Sequence, residues 1–149
     1  MDDKEVKVLI FGLDNEKYAT NIVEVERILG YEEPTVLPEA PDFVKGVINY
    51  EESVLPIISL GTKFKIGLEK VSENRQIIVV KRKEKQFGII VENVYEVRDV
   101  DRRAIEKTPE ITNTVDRHYI SGLIKLEENI VIMLDLGKIL SEEDENNIF

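Results

Sequence analysis

The sequence predicts an all-β fold of sandwich or small-barrel type, divided into two similar small subdomains. Three observations carry that expectation. Short runs rich in Val, Ile and Leu recur along the chain, only a few polar residues separate neighbouring runs, and one stretch of the sequence repeats another.

The runs are VKVLIFGL, VINY, SVLPIISL, QIIVVK, FGIIVENV, ISGLIKL and NIVIMLDL. Turn-formers or charge clusters such as DNEK, KRKEK and EEN divide them, so pairs of runs fit antiparallel hairpins better than helical crossovers. The clearest helix candidate is NIVEVERILG. There Asn21 can cap the start, Ile22, Val25, Ile28 and Leu29 share a face, and Gly30 can close the end. A second helix is expected after Asp135, through GKILSEED.

The repeat places FVKGVINYEESVLPIISLGTKF, from Phe43 to Phe64, over YISGLIKLEENIVIMLDLGKIL, from Tyr119 to Leu140, without gaps and offset by 76 residues. Gly46 falls on Gly122, Glu51 and Glu52 on Glu127 and Glu128, and Leu60-Gly61 on Leu136-Gly137. Any two half-buried hairpins share alternating apolar residues, so the glycines and turn positions carry the weight. Gly46 and Gly122 each open a strand, where a missing Cβ permits an unusual backbone angle or a close approach. A weaker echo sets KYATNIVEV over QFGIIVENV, with Tyr18 on Phe87 and Val25 on Val94. The chain is therefore expected to be one domain over 1–149, with subdomains of about 14–70 and 71–149, a boundary near Glu69 to Asn74, and terminal segments free to cross between halves.

Composition agrees with a packed globule. A chain of 149 residues suffices for one domain burying ~70% of its extended-chain surface, and 42% hydrophobic residues supply a core. Cysteine is absent, which removes disulfides, thiolate metal sites and a cysteine nucleophile. The acidic start MDDKEVKVLIFGL is unlike a secretory signal, and no apolar run approaches the ~20 residues of a membrane span, so a cytoplasmic protein without membrane insertion is expected. A net charge of -10 repels phosphate backbones and argues against nucleic-acid binding.

Catalytic and cofactor chemistry finds little footing. His118 is the sole histidine, so a His-based metal site lacks companions, and a Ser-His-Asp reading has only Asp116 nearby. KRKEK, Lys81 to Lys85, reads as a solvated hairpin turn between two strands. There is no G-x-x-x-x-G-K-[ST] loop, no G-x-G-x-x-G and no G-x-S-x-G elbow, so no cofactor is expected. An acid-base enzyme built on Asp and Glu, or a ligand-binding barrel, would each need a concave site that sequence alone does not display.

One stretch is more specific than any of these. VLPEAPDFVKGVINYEESVLPIISL, from Val36 to Leu60, resembles the CheW family pattern of a proline-flanked turn, F-V-K-G-V-I-N, a tight turn and V-I-P-V-V-D-L. IVEVERILGY resembles that family's short helix and following loop, QFGIIVENVYEVRDV its V-G-I-V-V-D-x-V motif, and SGLIKL its last hairpin. The resemblance runs from Val6 to Leu140 with the motifs in the family's order. It implies two five-stranded, SH3-like β-barrel subdomains packed together with short helices. It also implies a non-catalytic adaptor of chemotaxis signalling that binds the regulatory domain of the histidine kinase CheA and the cytoplasmic tip of chemoreceptors, in arrays at the inner face of the membrane.

Carried over position by position, the resemblance points to Val25, Arg27, Gly46, Ile48, Tyr50, Glu51, Glu52, Val94 and Val97 as partner-binding. Val25, Val94 and Val97 could line a groove for an apolar receptor helix, or be ordinary core. The chain also departs from the pattern. Asn49-Tyr50-Glu51-Glu52 stands where N-L-R-G is usual, so Glu52 implies altered turn geometry or strain, and Ser59 stands where Asp is common. Arg27 occupies a position that often carries Glu, while Glu51 occupies one that often carries Arg. If the two face each other, an ion pair with exchanged polarity is expected; otherwise each charge is solvated independently or meets a partner.

Overall fold

Among the described residues every strand lies in one of two sheets, and each sheet takes strands from both halves of the sequence. The computed structural model describes residues 4–65, 73–107 and 119–149. In chain order its strands are β1 (Glu5–Leu13), β2 (Glu16–Asn21), β3 (Val25–Gly30), β4 (Val44–Tyr50), β5 (Ser53–Ile58), β6 (Gln76–Arg82), β7 (Lys85–Val91), β8 (Asn93–Asp101), β9 (Ile105–Glu106), β10 (Ile120–Leu126) and β11 (Asn129–Leu134). Two short helices, α1 (Leu60–Phe64) and α2 (Glu142–Ile148), complete the described elements together with isolated 3-10 turns.

One sheet runs β3-β6-β7-β5-β4 and the other β8-β1-β2-β11-β10-β9. The all-β expectation holds, with one adjustment: the sheets have five and six strands, and no strand pairing among the described residues closes either into a barrel. Each instead carries its own apolar cluster. Ile48, Tyr50, Leu55, Ile57, Ile77, Val79 and Ile90 fill one face of the five-stranded sheet. Val6, Val8, Ile10, Ala19, Val100, Ile124, Val131 and Met133 fill one face of the six-stranded sheet. The opposite faces meet in a larger shared core around Leu9, Phe11, Tyr18, Ile58, Ile78, Phe87, Ile89 and Leu134. With both faces of a sheet buried, strict alternation is lost, which is why β1 and β7 read as unbroken apolar runs.

The repeat is a repeat of hydrogen bonding. Val44 pairs with Ile58 and Gly46 with Ile57, with a register shift between them, and Ile120 pairs with Leu134 and Gly122 with Met133 with the same shift. The Ser59 N–H donates to the Phe43 carbonyl at 2.8 Å, as that of Asp135 does to Tyr119 at 2.8 Å. The weaker echo holds equally: Phe11 pairs with Tyr18 as Val80 pairs with Phe87, and the parallel pair Met133–Ala19 matches Ile57–Gly88. The repeating unit is therefore a hairpin, an outer strand and a second hairpin, β1–β2, β3, β4–β5 in the first half and β6–β7, β8, β10–β11 in the second. Each first hairpin joins the sheet formed by the other unit's remaining strands, with β9 added at the edge of the six-stranded sheet. The five-stranded sheet spans residues 25–91 and the six-stranded sheet joins 5–21 to 93–134. The exchange is thus wider than a crossing of chain termini.

The expected helix at Asn21–Gly30 is corrected. Asn21 does cap, accepting the Val23 N–H at 3.1 Å, but only a single 3-10 turn, Ile22–Glu24, follows before the chain extends as β3 along β6. Glu26 is the extra residue of a bulge between Val25 and Arg27, so Val25 and Ile28, three apart, turn to one face. That bulge imitates helical periodicity. After Asp135 the chain makes a 3-10 turn, Leu136–Lys138, and then α2, closed by a reciprocal capping box between Ser141 and Asp144. α2 is anchored by Lys63 to Asp144 at 2.6 Å and by Lys85 to Glu145 at 3.1 Å.

Candidate functional site

The outer strands β3 and β8 are equivalent positions of the two sheets, and both carry the same device. β3 bulges at Glu26, with Val25 opposite Val80 and Ile28 opposite Ile78. β8 bulges at Tyr95, with Val94 opposite Phe11 and Val97 opposite Leu9. Residues directly opposite in a ladder share a face, and Val80, Ile78, Phe11 and Leu9 all belong to the shared core. Hence Val25, Ile28, Val94 and Val97 all point to the inter-sheet side. Val25 and Val94 pack against that core, while Ile28 and Val97 remain 36% and 50% exposed.

Arg27 and Glu51 do meet. The guanidinium lies 3.2 Å from the carboxylate, with side chains 56% and 54% exposed. The pair links β3 to the β4–β5 turn, and not a helix to that turn. Arg27 also covers the Tyr50 ring at 5.7 Å. Beneath them the Tyr50 hydroxyl donates to Glu26 at 2.7 Å, and Gln86 donates to both Glu26 oxygens at 3.0 and 2.7 Å. The Tyr50 hydroxyl is pushed up to about 12 by burial and then by Glu26, and its hydrogen bond, the leading cause, holds the Glu26 carboxyl below the usual range. This cluster fixes an ordered, charged ridge at the tip of β4–β5.

Gly46 and Ile48 lie differently. Both are buried under the sheet surface, so they set the shape of β4 and offer no face to a partner. Glu51 and Glu52 are exposed at a two-residue turn with φ of 48 and 66. Two consecutive positive angles define a type I′ hairpin, in which Asn-Gly is favoured and Glu-Glu is strained. The strain expected of Glu52 is thus present. Glu52→Gly should raise the unfolding free energy by about 1 kcal/mol, read from the urea midpoint; an unchanged or lower midpoint would contradict the strain.

Sequence reasoning missed Glu26, Gln86 and, as a surface residue, Ile28. For Ile28 a signal existed, since Val25-x-x-Ile28 and Val94-x-x-Val97 repeat in the two halves. For the Glu26–Tyr50–Gln86 cluster none did, because three strands far apart in sequence supply it. His118 lies outside the described residues. Among the described residues no group of three or more His, Cys, Asp or Glu is arranged to hold a metal ion, and no helix is long and apolar enough to cross a membrane.

Comparison with known proteins adds independent findings. The profile of the CheW-like domain matches residues 7–144. The chemotaxis protein CheW of Klebsiella aerogenes is 37% identical over 136 residues, covering 91% of this chain and 82% of that protein. Its counterpart in Thermotoga maritima is 29% identical over 93% of this chain and 90% of its own length. The crystal structure of the scaffolding protein TtCheW from Thermoanaerobacter tengcongensis superposes with a TM-score of 0.86 at 29% identity, covering 96% of this chain and 92% of that one.

Proposed function

Because the chain belongs to the CheW-like family, we propose that it is a non-catalytic chemotaxis scaffold joining the regulatory domain of the kinase CheA to the cytoplasmic tip of chemoreceptors. The observation that carries this reading is that Val25 and Ile28 on one outer strand and Val94 and Val97 on the other all face the inter-sheet side of their sheets, with Ile28 and Val97 left partly exposed. A receptor helix offers apolar residues at i, i+3, i+4 and i+7, which suits a surface with two pairs of aliphatic side chains. The charged ridge of Glu26, Arg27, Glu51 and Glu52 is a separate surface, and we assign it to the kinase. An adaptor needs two such surfaces so that both partners bind at once. The protein would work in the cytoplasm, at receptor arrays beneath the membrane.

Co-precipitation with a receptor-tip fragment and the kinase regulatory domain tests the reading. Both should be retained together, and added chelator or nucleotide should leave the complex unchanged. Failure to retain either partner rejects it.

The exchanged polarity of Arg27 and Glu51 favours a second reading, a coupling protein of the same fold that serves a different receptor-kinase array. An exposed pair contributes only ~0 to 1 kcal/mol to stability, so its value would lie in recognition. Arg27→Glu and Glu51→Arg should each weaken kinase binding with the fold intact, and the double reversal should recover much of the loss. Losses that merely add would mean that each residue meets the partner separately.

A further inference from the structure

The proposed docking surface spans both sheets, so whatever fixes one sheet against the other fixes its shape. Glu24, immediately before β3, makes such a joint. Its Oε2 accepts the backbone N–H of Leu136 at 2.7 Å, across 112 residues of chain, and the buried Thr20 hydroxyl donates to the same oxygen at 3.4 Å. Leu136, fully buried, opens the 3-10 turn that follows β11. The same turn is capped by Asp135, whose Oδ1 accepts the Gly137 N–H at 3.0 Å. Two carboxyl groups therefore converge on one turn.

Burial, and then the charge of Asp135, raises the Glu24 carboxyl above its ordinary value, against the opposing effect of the Leu136 and Gly137 N–H donors. From β2 it faces the uncharged Thr20, and from the turn it faces Asp135, to which Lys138 lies 3.8 Å away. The neighbouring Glu26 is engaged with Tyr50 and Gln86. The repeat shows that this acidic pair is a local feature. Glu24 aligns with Asn93 and Asp135 with Ser59, so the equivalent positions of the other half are both neutral.

We propose that Glu24 is a positioning residue of the docking surface, tying the start of β3 to the turn after β11 so that Val25 and Ile28 stand at a fixed offset from Val94 and Val97. This rests on the docking role given to those four residues. A native group with a raised value binds more protons than its unfolded counterpart. The net contribution of the Glu24 carboxyl to stability is therefore full below the unfolded value and is lost as pH rises through the folded one.

Amide NMR titration and receptor-tip binding together test the proposal. The amides of Leu136, Gly137 and Val25 to Ile28 should share one titration midpoint above the ordinary carboxylate range, and Glu24→Gln should abolish it. Glu24→Ala should weaken receptor-tip binding about tenfold, whereas Glu24→Gln, whose side-chain oxygen still accepts the Leu136 N–H, should stay within about twofold of the native protein. Val131→Ala, a core truncation in the six-stranded sheet, controls for lost stability. The proposal is overturned if the β3 amides do not follow the Leu136 midpoint, or if Glu24→Ala costs no more affinity than Val131→Ala. Should the native protein not bind the receptor tip, the docking role fails, and the shared midpoint still decides whether the joint positions β3.

Discussion

Gly46→Ala is expected to destabilise the protein by about 3 kcal/mol or more, a loss large for one methyl group. A Cβ at that position would lie 2.2 Å from the Thr35 carbonyl oxygen and 2.6 Å from its carbon. Both are backbone atoms, held in place by Thr35 N–H donating to Val47 at 2.8 Å and Val47 N–H donating to Thr35 at 2.9 Å. The φ of +144° adds strain for any side chain. Relief would require breaking the Thr35 bridge or flattening the bulge at the start of β4. Gly30→Ala is the matched control, since nothing lies within 4 Å of its Cβ. Urea unfolding of the two variants should separate them clearly, and a Gly46→Ala loss below about 1 kcal/mol would show that the bridge yields easily.

The comparison with Gly122 explains what the sequence could reveal about such positions. The repeat pairs the two glycines, and both sit at an equivalent bulge, Gly46 beside the bridge made by Thr35 and Gly122 beside β9. At Gly122, however, the nearest contact would be the Ile105 Cγ2 at 2.6 Å, a side-chain atom, with the Glu106 carbonyl at 2.9 Å. Alignment of the halves gave the shared need for a missing Cβ and not the difference in cost, which depends on whether backbone or side chain stands opposite.

The same limit governs the rest of the molecule. Local pattern was sufficient for the hairpins, because their partners are a few residues away and their turns carry charge or turn-formers. β3 was misread as a helix because its bulge spaces Val25 and Ile28 as a helix would, and only pairing with β6, fifty residues on, distinguishes the two. The exchange of hairpins between halves was likewise hidden: strand pairings β3–β6 and β1–β8 join segments that no local spacing connects. At the candidate site, Arg27 and Glu51 were legible as a pair through their exchanged signs. Glu24 was not, because an acidic residue near Asn21 reads as a solvated charge until Leu136 is seen above it.

Val97→Glu should abolish most receptor-tip binding, by at least about thirtyfold, while leaving the fold intact. Val97 is 50% exposed, so a carboxylate there can reach water in the free protein and costs the fold little. In a complex the same carboxylate would be enclosed against an apolar helix, and a buried, unpaired charge is far more expensive than the lost methyl contacts. Ile28→Glu should act alike, since Ile28 is the equivalent residue of the other sheet. Val25 and Val94 are poorer probes, because their packing against the shared core confounds stability with docking. Ile130→Glu supplies the control: Ile130 is 62% exposed on β11, separated from β8 in its sheet by β1 and β2, and its replacement should leave affinity unchanged. Kinase binding through the ridge at Glu51 should survive Val97→Glu, because the two surfaces are separate. If Val97→Glu retains receptor affinity within about twofold while Ile130→Glu does not, the docking surface lies along β11 and the β3–β8 assignment is wrong.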